Sequence, residues 1–188
     1  MSKERIELDL NVTAPTFKLE DIFEREIDLS KYKGKKVFVG FFRHAGCPFC
    51  NLRIHFLQQH HKELQKQGME MIFFFESTKQ AMLRSSFHKE ISPIPLISDP
   101  EKIWYQSYGV EDSVKKSTAS HLTTFIQTAI KAKLKKLPMH MMAGKESFST
   151  IPAEFLLDEN LIIRKIYYAK GLTDRMSIDH MYNFAKSN

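Results

Sequence analysis

Cys47 and Cys50 are the two cysteines of this 188-residue chain, and they stand in a Cys-Pro-Phe-Cys run. A thiol attacks as its thiolate, and an unperturbed cysteine of pKa about 8.5 is only about 3% ionised at pH 7. A helix N-terminus offers unpaired backbone N–H groups and partial positive charge, and Cys47 precedes Pro48, a residue suited to a first helical turn. Arg43 and His44, just upstream, either add positive charge there or satisfy local backbone and carboxylate groups. Cys50 falls one helical turn further in, better shielded yet near enough to close a disulfide. The spacing therefore assigns attack to Cys47 and resolution to Cys50.

Two other readings of the pair stay open. A Cys-x-x-Cys pair suits half a zinc site, but zinc takes four ligands and no second pair follows. His44, His55, His60 and His61 would complete such a set only through an unusual geometry, so no metal and no cofactor is assigned. Two inert buried thiols are the other alternative, opposed by their place at a strand-to-helix turn.

The elements that must position this turn are legible around it. Lys35 to Phe42 is an apolar run behind Tyr-Lys-Gly and reads as a buried central strand. From Pro48 to about Gln67, Phe49, Leu52, Phe56, Leu57 and Leu64 recur at helical spacing, with Gly68 as the stop. Met69 to Phe75 predicts a second strand. Ser77-Thr78-Lys79-Gln80 resembles a capping box opening a helix that ends near Ser92-Pro93. A short strand over Ile94 to Ile97 and a short helix over Glu101 to Tyr108, stopped by Gly109, come next. Ala153 to Leu157 and Leu161 to Tyr168 read as a hairpin about Asp158-Glu159-Asn160, followed by a helix from about Asp174 to Lys186. Alternation followed by a hairpin predicts an α/β fold, a mixed sheet with helices on both faces. Between 113 and 148, Leu122, Phe125, Ile126, Ile130, Leu134 and Leu137 predict an inserted amphipathic helix, and Met139, Met141 and Met142 are expected as core filler.

Composition limits the rest. The length suits one domain spanning 1–188, and 43% hydrophobic residues with 15 Phe supply a core without disulfides. The net charge of +6 is concentrated between Glu111 and Glu146, where seven lysines face three acids. That segment reads as a solvated helical face, since no nucleic-acid motif accompanies it. No run approaches the roughly 20 apolar residues of a membrane span, and Met-Ser-Lys-Glu-Arg-Ile-Glu is not a secretory start. A cytoplasmic, reducing compartment is the expectation, with neither nucleic acid nor membrane as a partner.

Phe41-Phe42-Arg43-His44-Ala45-Gly46-Cys47-Pro48-Phe49-Cys50 resembles the Arg-His-x-Gly-Cys-Pro-Phe-Cys motif of peroxiredoxin-like members of the alkyl hydroperoxide reductase and thiol-specific antioxidant family. Ala14-Pro15-Thr16-Phe17-Lys18-Leu19, Tyr32-Lys33-Gly34-Lys35 and Tyr108-Gly109-Val110 are similar to landmarks of that family, in the same order. The resemblance implies a thioredoxin-like fold, a thiol-based reaction on a disulfide or peroxide, a thioredoxin- or glutathione-type thiol reductant, and pairing into a homodimer. It departs at three positions: Gly40 and His44 stand where Pro and Thr of Pro-x-x-x-Thr-x-x-Cys are found, and Pro152 where a distant Arg is expected. Thr150-Ile151-Pro152 is also similar to the Thr-Val-Pro stretch of glutaredoxins, which implies a cis proline and a preceding backbone that pairs with the thiol substrate. By that likeness Pro48, Phe49, Ile151 and Pro152 contact substrate, while Arg43 and His44 join the cysteines in catalysis. The alternative is a non-catalytic thioredoxin-fold binding module that uses the Lys- and Met-rich insertion.

Overall fold

In the computed structural model, which describes residues 6–187 apart from Ser92 and Ala143, a small antiparallel pair comes first, β1 (Lys18–Glu20) and β2 (Glu26–Asp28). Then follow β3 (Lys36–Phe41), α1 (Pro48–Lys66), β4 (Met69–Phe75), α2 (Lys79–Leu83), α3 (Ser86–Glu90), β5 (Leu96–Ser98) and α4 (Ile103–Ser107). A long helix α5 (Val114–Leu134), strands β6 (Ala153–Leu157) and β7 (Ile163–Tyr168), and a last helix α6 (Ile178–Lys186) complete the chain. The outer limits of the expected domain, 1–5 and 188, and the expected helix end at Ser92 lie outside the described residues.

Within the apolar run that reads as the central strand, β3 is buried at every position and occupies the middle of a five-stranded sheet, β5-β4-β3-β6-β7. β4 and β5 run parallel to β3, whereas β6 and β7 run antiparallel, so the sheet is mixed. Alternation of side chains divides the core. Phe38, Phe42, Phe73, Phe75 and Leu156 pack on one face against α1 and α6; Val39, Phe41, Phe74 and Phe155 pack on the other with Tyr105 and Tyr108. Gly40 has a packing reason: a Cβ there would meet ring carbons of Phe38 and Phe42 at 2.8 and 2.9 Å.

Local hydrogen bonding moves several boundaries. The helix expected from Thr78 onward is two helices, α2 and α3, separated at Arg84-Ser85. Thr78 caps α2 by accepting from the Ala81 N–H, while Ser77 turns inward and accepts from the Ala45 N–H at 2.7 Å. Asp99 accepts from the N–H groups of Ile103 and Trp104, fixing the start of α4. Asp174 takes the Lys170 N–H and the Tyr167 hydroxyl, so α6 starts only after its Ser177 cap.

The inserted helix forms but is turned over relative to expectation. Leu122, Ile126 and Leu134 are 83%, 74% and 79% exposed, and Phe125 and Ile130 are exposed as well; Leu137 alone of the six is buried. The buried positions are Ser117, Thr128 and Ala132, small residues that let α5 lie close along α1. Met139, Met141 and Met142 are likewise exposed rather than core filler.

Arg53 of α1 and Glu154 of β6 form a buried two-pronged ion pair, Nε to Oε1 at 2.8 Å and Nη2 to Oε2 at 2.9 Å, and the same carboxylate accepts from the Met176 N–H. This pair joins the cysteine-bearing helix to the sheet and to the lead-in of α6. Glu154→Ala strands a buried guanidinium and is expected to lower folding stability by about 3–5 kcal/mol. Urea unfolding checks this, and an unchanged midpoint contradicts the buried pairing.

Candidate active site

The sheet ends in the site. Past Phe41, the chain leaves β3, turns through Arg43 to Gly46, and enters α1 with Cys47 as its N-cap and Pro48 as its first residue. The Cys47 N–H donates to the His44 carbonyl at 3.0 Å, and the Cys47 carbonyl accepts the first helical bond from Asn51. The Asn51 side chain donates to the carbonyls of Ala45 and Pro138, both at 2.8 Å, which ties the turn to the chain following α5. Tyr105 donates its hydroxyl to the Phe42 carbonyl from the opposite face of the sheet. Gly46 permits a close approach, since a Cβ there would lie 2.5 Å from the His140 carbonyl oxygen.

Both cysteines are free thiols and fully buried. The Arg43 N–H points to Cys50 Sγ at 3.3 Å. The Arg43 guanidinium, only 1% exposed, places Nη1 3.6 Å from Cys47 Sγ and donates from Nη2 to the Phe148 carbonyl at 2.9 Å. No carboxylate pairs with it among the described residues, and its Nε has no partner there. Burial pushes the Cys47 thiol up, but the Cys50 hydrogen bond and the Arg43 charge outweigh burial and hold it down at about 6. The thiolate form of Cys47 is thereby favoured near neutral pH. Cys50 moves the opposite way, raised by burial and by its neighbour Cys47, so it keeps its proton.

The positive charge expected from Arg43 and His44 comes from Arg43. Burial first, then the Arg43 charge, lowers His44 to about 3, so its ring is neutral at pH 7. Arg175 adds a smaller charge effect on Cys47 that nothing in the sequence signalled.

A cavity of about 510 Å³ opens over Cys47, Pro48, Arg43 and His44. Its walls come from the insertion: Phe125 and Ala129 of α5, then Met139 to Met142, and Phe148. Buried Glu76 anchors the end of this wall by accepting from the Ser147 N–H and the Thr150 hydroxyl and by pairing with Lys102 at 3.1 Å. Desolvation raises its carboxyl against those contacts.

Other expected site residues are placed differently. Phe49 is buried against the rings of His121 and Phe125, at 5.3 and 6.3 Å, and joins α1 to α5 instead of lining this cavity. Ile151 is buried, and the N–H expected to receive a substrate strand already donates to the Glu111 carbonyl at 2.8 Å. The neighbouring Asp112–Thr150 bridge occupies the same edge. Pro152 immediately precedes Ala153, the register partner of Phe41, and so stands at the cysteine end of β3. Phe148, His140 and Glu146 were missed because they reach the turn from more than 90 residues away, with no local spacing to mark them. One ligand-type atom each from His44, His140 and Glu146 lies within 4.8 Å of the others.

A sequence model described as the AhpC/TSA family matches residues 10–166. Peroxiredoxin Bcp of Escherichia coli (strain K12) is 27% identical over 97 residues, 52% of this chain and 62% of that protein. Thiol-disulfide oxidoreductase ResA of Geobacillus thermodenitrificans is 26% identical over 107 residues, 57% of this chain and 61% of that protein. The matched part of the chain thus spans less than two thirds of either relative. Peroxidoxin BcpB from Mycobacterium tuberculosis superposes with a TM-score of 0.62 over 96% of this chain and 95% of its own, at 15% identity. The reduced 2-Cys peroxiredoxin of Plasmodium vivax gives 0.63 over 94% and 79%, at 18% identity. These likenesses establish the thioredoxin-like fold expected from the sequence.

Arg43→Gln removes the only cation hydrogen-bonded to Cys47 among the described residues. The midpoint of iodoacetamide alkylation of reduced protein is expected to rise by about 1–3 pH units relative to the unsubstituted protein, so that alkylation at pH 7 slows. A profile that coincides with that of the unsubstituted protein would show that Arg43 does not set the thiolate.

Proposed function

This chain belongs to the AhpC/TSA family, and from that premise we propose that it is a thiol-based redox enzyme, with Cys47 as attacking thiolate and Cys50 as resolving thiol. The observation that carries the reading is the buried Arg43 guanidinium, which has the Cys47 sulfur rather than a carboxylate beside it. A buried cation without an anion is costly, so ionised Cys47 and Arg43 stabilise each other.

With a disulfide substrate, the Cys47 thiolate bonds one sulfur and expels the other as thiolate, forming a mixed disulfide. Cys50 then gives up its proton and attacks Cys47 Sγ, releasing the second substrate thiolate and leaving Cys47–Cys50 oxidised. With a hydroperoxide, the thiolate takes the terminal OH, the O–O bond breaks and the alkoxide leaves as alcohol after protonation; Cys50 then displaces hydroxide from the sulfenic acid, which departs as water. An external thiol reductant, of thioredoxin or glutathione type, returns both cysteines to thiols.

Arg43 acts as the counter-ion, neutral His44 forms the wall beside Cys47, and Pro48 meets the substrate in the cavity. The Phe- and Met-lined wall supports a disulfide or peroxide carried on an apolar body. We place the protein in a reducing cytoplasm, as one domain; among the described residues no helix is long and apolar enough to cross a membrane. The exposed Leu122, Ile126, Ile130 and Leu134 row supports pairing with a second copy.

Turnover with an external thiol is expected to disappear in Cys47→Ser, and Cys50→Ser is expected to accumulate a Cys47 mixed disulfide visible by mass. Rapid loss of hydrogen peroxide coupled to a thioredoxin system selects peroxidase chemistry, and reduction of insulin or a mixed disulfide without peroxide loss selects reductase chemistry. Equal turnover by Cys47→Ser and the unsubstituted protein would refute the reading.

A further inference from the structure

His44, His140 and Glu146 come from two distant segments, the cysteine turn and the chain after α5, yet their ligand-type atoms gather within 4.8 Å of one another. We propose that these three side chains bind one divalent transition-metal ion, with zinc as the probe, beside the cysteine cavity. Two imidazoles and a carboxylate are a recurrent set for such ions, and three protein ligands leave a position for water.

His44 points to a ligand independently of that grouping. Its residue is 7% exposed, and its buried Nδ1 has no hydrogen-bond partner among the described residues. That nitrogen faces Glu146 Oε2 at 3.9 Å. A buried, unpaired ring nitrogen is costly and calls for an ion or water.

The surrounding contacts orient the set as outer-shell partners do. The Glu146 carboxylate accepts the Ser77 hydroxyl, whose oxygen in turn accepts the Ala45 N–H. His140 Nδ1 lies 3.1 Å from the Met141 carbonyl, and an N–H donated there leaves the lone pair on Nε2. The absence of a side chain at Gly46 lets His140 reach the turn, since a Cβ would meet its Nδ1 at 2.6 Å. At bond lengths of about 2.0–2.1 Å, tetrahedral ligand atoms stand roughly 3.4 Å apart. The gathering therefore needs to contract by no more than about 1.4 Å, within reach of exposed His140.

Because cysteine thiols are zinc ligands in general, the test uses the full chain carrying Cys47→Ser and Cys50→Ser, which also separates it from the thiol reaction. Calorimetric titration with zinc is expected to show one equivalent bound. Adding His140→Ala or Glu146→Gln is expected to weaken binding by about tenfold or more, with thermal melting of the metal-free proteins showing that both remain folded; exposed His140 makes that variant the safer of the two. No zinc bound by the thiol-free protein would overturn the proposal. So would one equivalent whose affinity neither added substitution changes, because the ion would then sit elsewhere.

Discussion

Arg43 holds a full positive charge in a nearly water-free setting, and the site is arranged around that constraint. Its Nη1 reaches Cys47 Sγ, its Nη2 donates to the Phe148 carbonyl, and its backbone N–H points to Cys50. A guanidinium does not lose its proton in a protein, so among the described residues the adjustable partner beside it is the thiol. Burial would otherwise favour the neutral thiol, and the opposite directions taken by Cys47 and Cys50 follow first from the hydrogen bond between them, which lowers Cys47 and raises Cys50, with the Arg43 charge helping to hold Cys47 down. The same contact recruits the insertion, because the carbonyl that accepts from Nη2 belongs to a residue just before β6.

The insertion is consequently part of the site rather than an ornament on the fold. Asn51 bonds Pro138, Ser117 donates to Phe148, and Glu76 holds Ser147 and Thr150, so the wall is fastened at both ends to the core. These fastenings explain why α5 presents small residues to α1. Ser117, Thr128 and Ala132 allow close approach, whereas Leu and Ile in those positions would push the wall away from the turn. The larger apolar residues are left to solvent or to a second molecule.

The strand, the turn and the cysteine helix were legible because their signals are local: a buried apolar run, a proline at the helix entrance, a glycine with positive φ at the helix stop. The same holds for the mixed sheet, whose strands β4, β6 and β7 announce themselves by pattern. What periodicity cannot supply is which side of an amphipathic helix faces the protein. For α5 the row Leu122, Ile126, Ile130 reads as a core face, and only the close fit to α1 shows that the polar side is inward. Residues from distant segments were equally hidden. His140, Glu146 and Phe148 have no spacing relation to Cys47, and the hydrogen bond from the Ile151 N–H to Glu111 is one that no local pattern encodes.

The three departures from the peroxiredoxin pattern have different physical content. Gly40 is a packing requirement, since Phe38 and Phe42 fill the space a side chain would need. Pro152 stands beside the end of β3 and offers no N–H. His44 replaces a hydroxyl donor with a neutral ring whose buried nitrogen faces Glu146 rather than bonding to the thiol. Breaking an O–O bond calls for donors aimed at the departing oxygen, yet Arg43 already commits Nη2 to the Phe148 carbonyl. Its charge is spent chiefly on making Cys47 a nucleophile. A thiolate serves disulfide and peroxide substrates alike, and on the proposed reading either would meet Cys47 beneath the apolar wall that the insertion places above it.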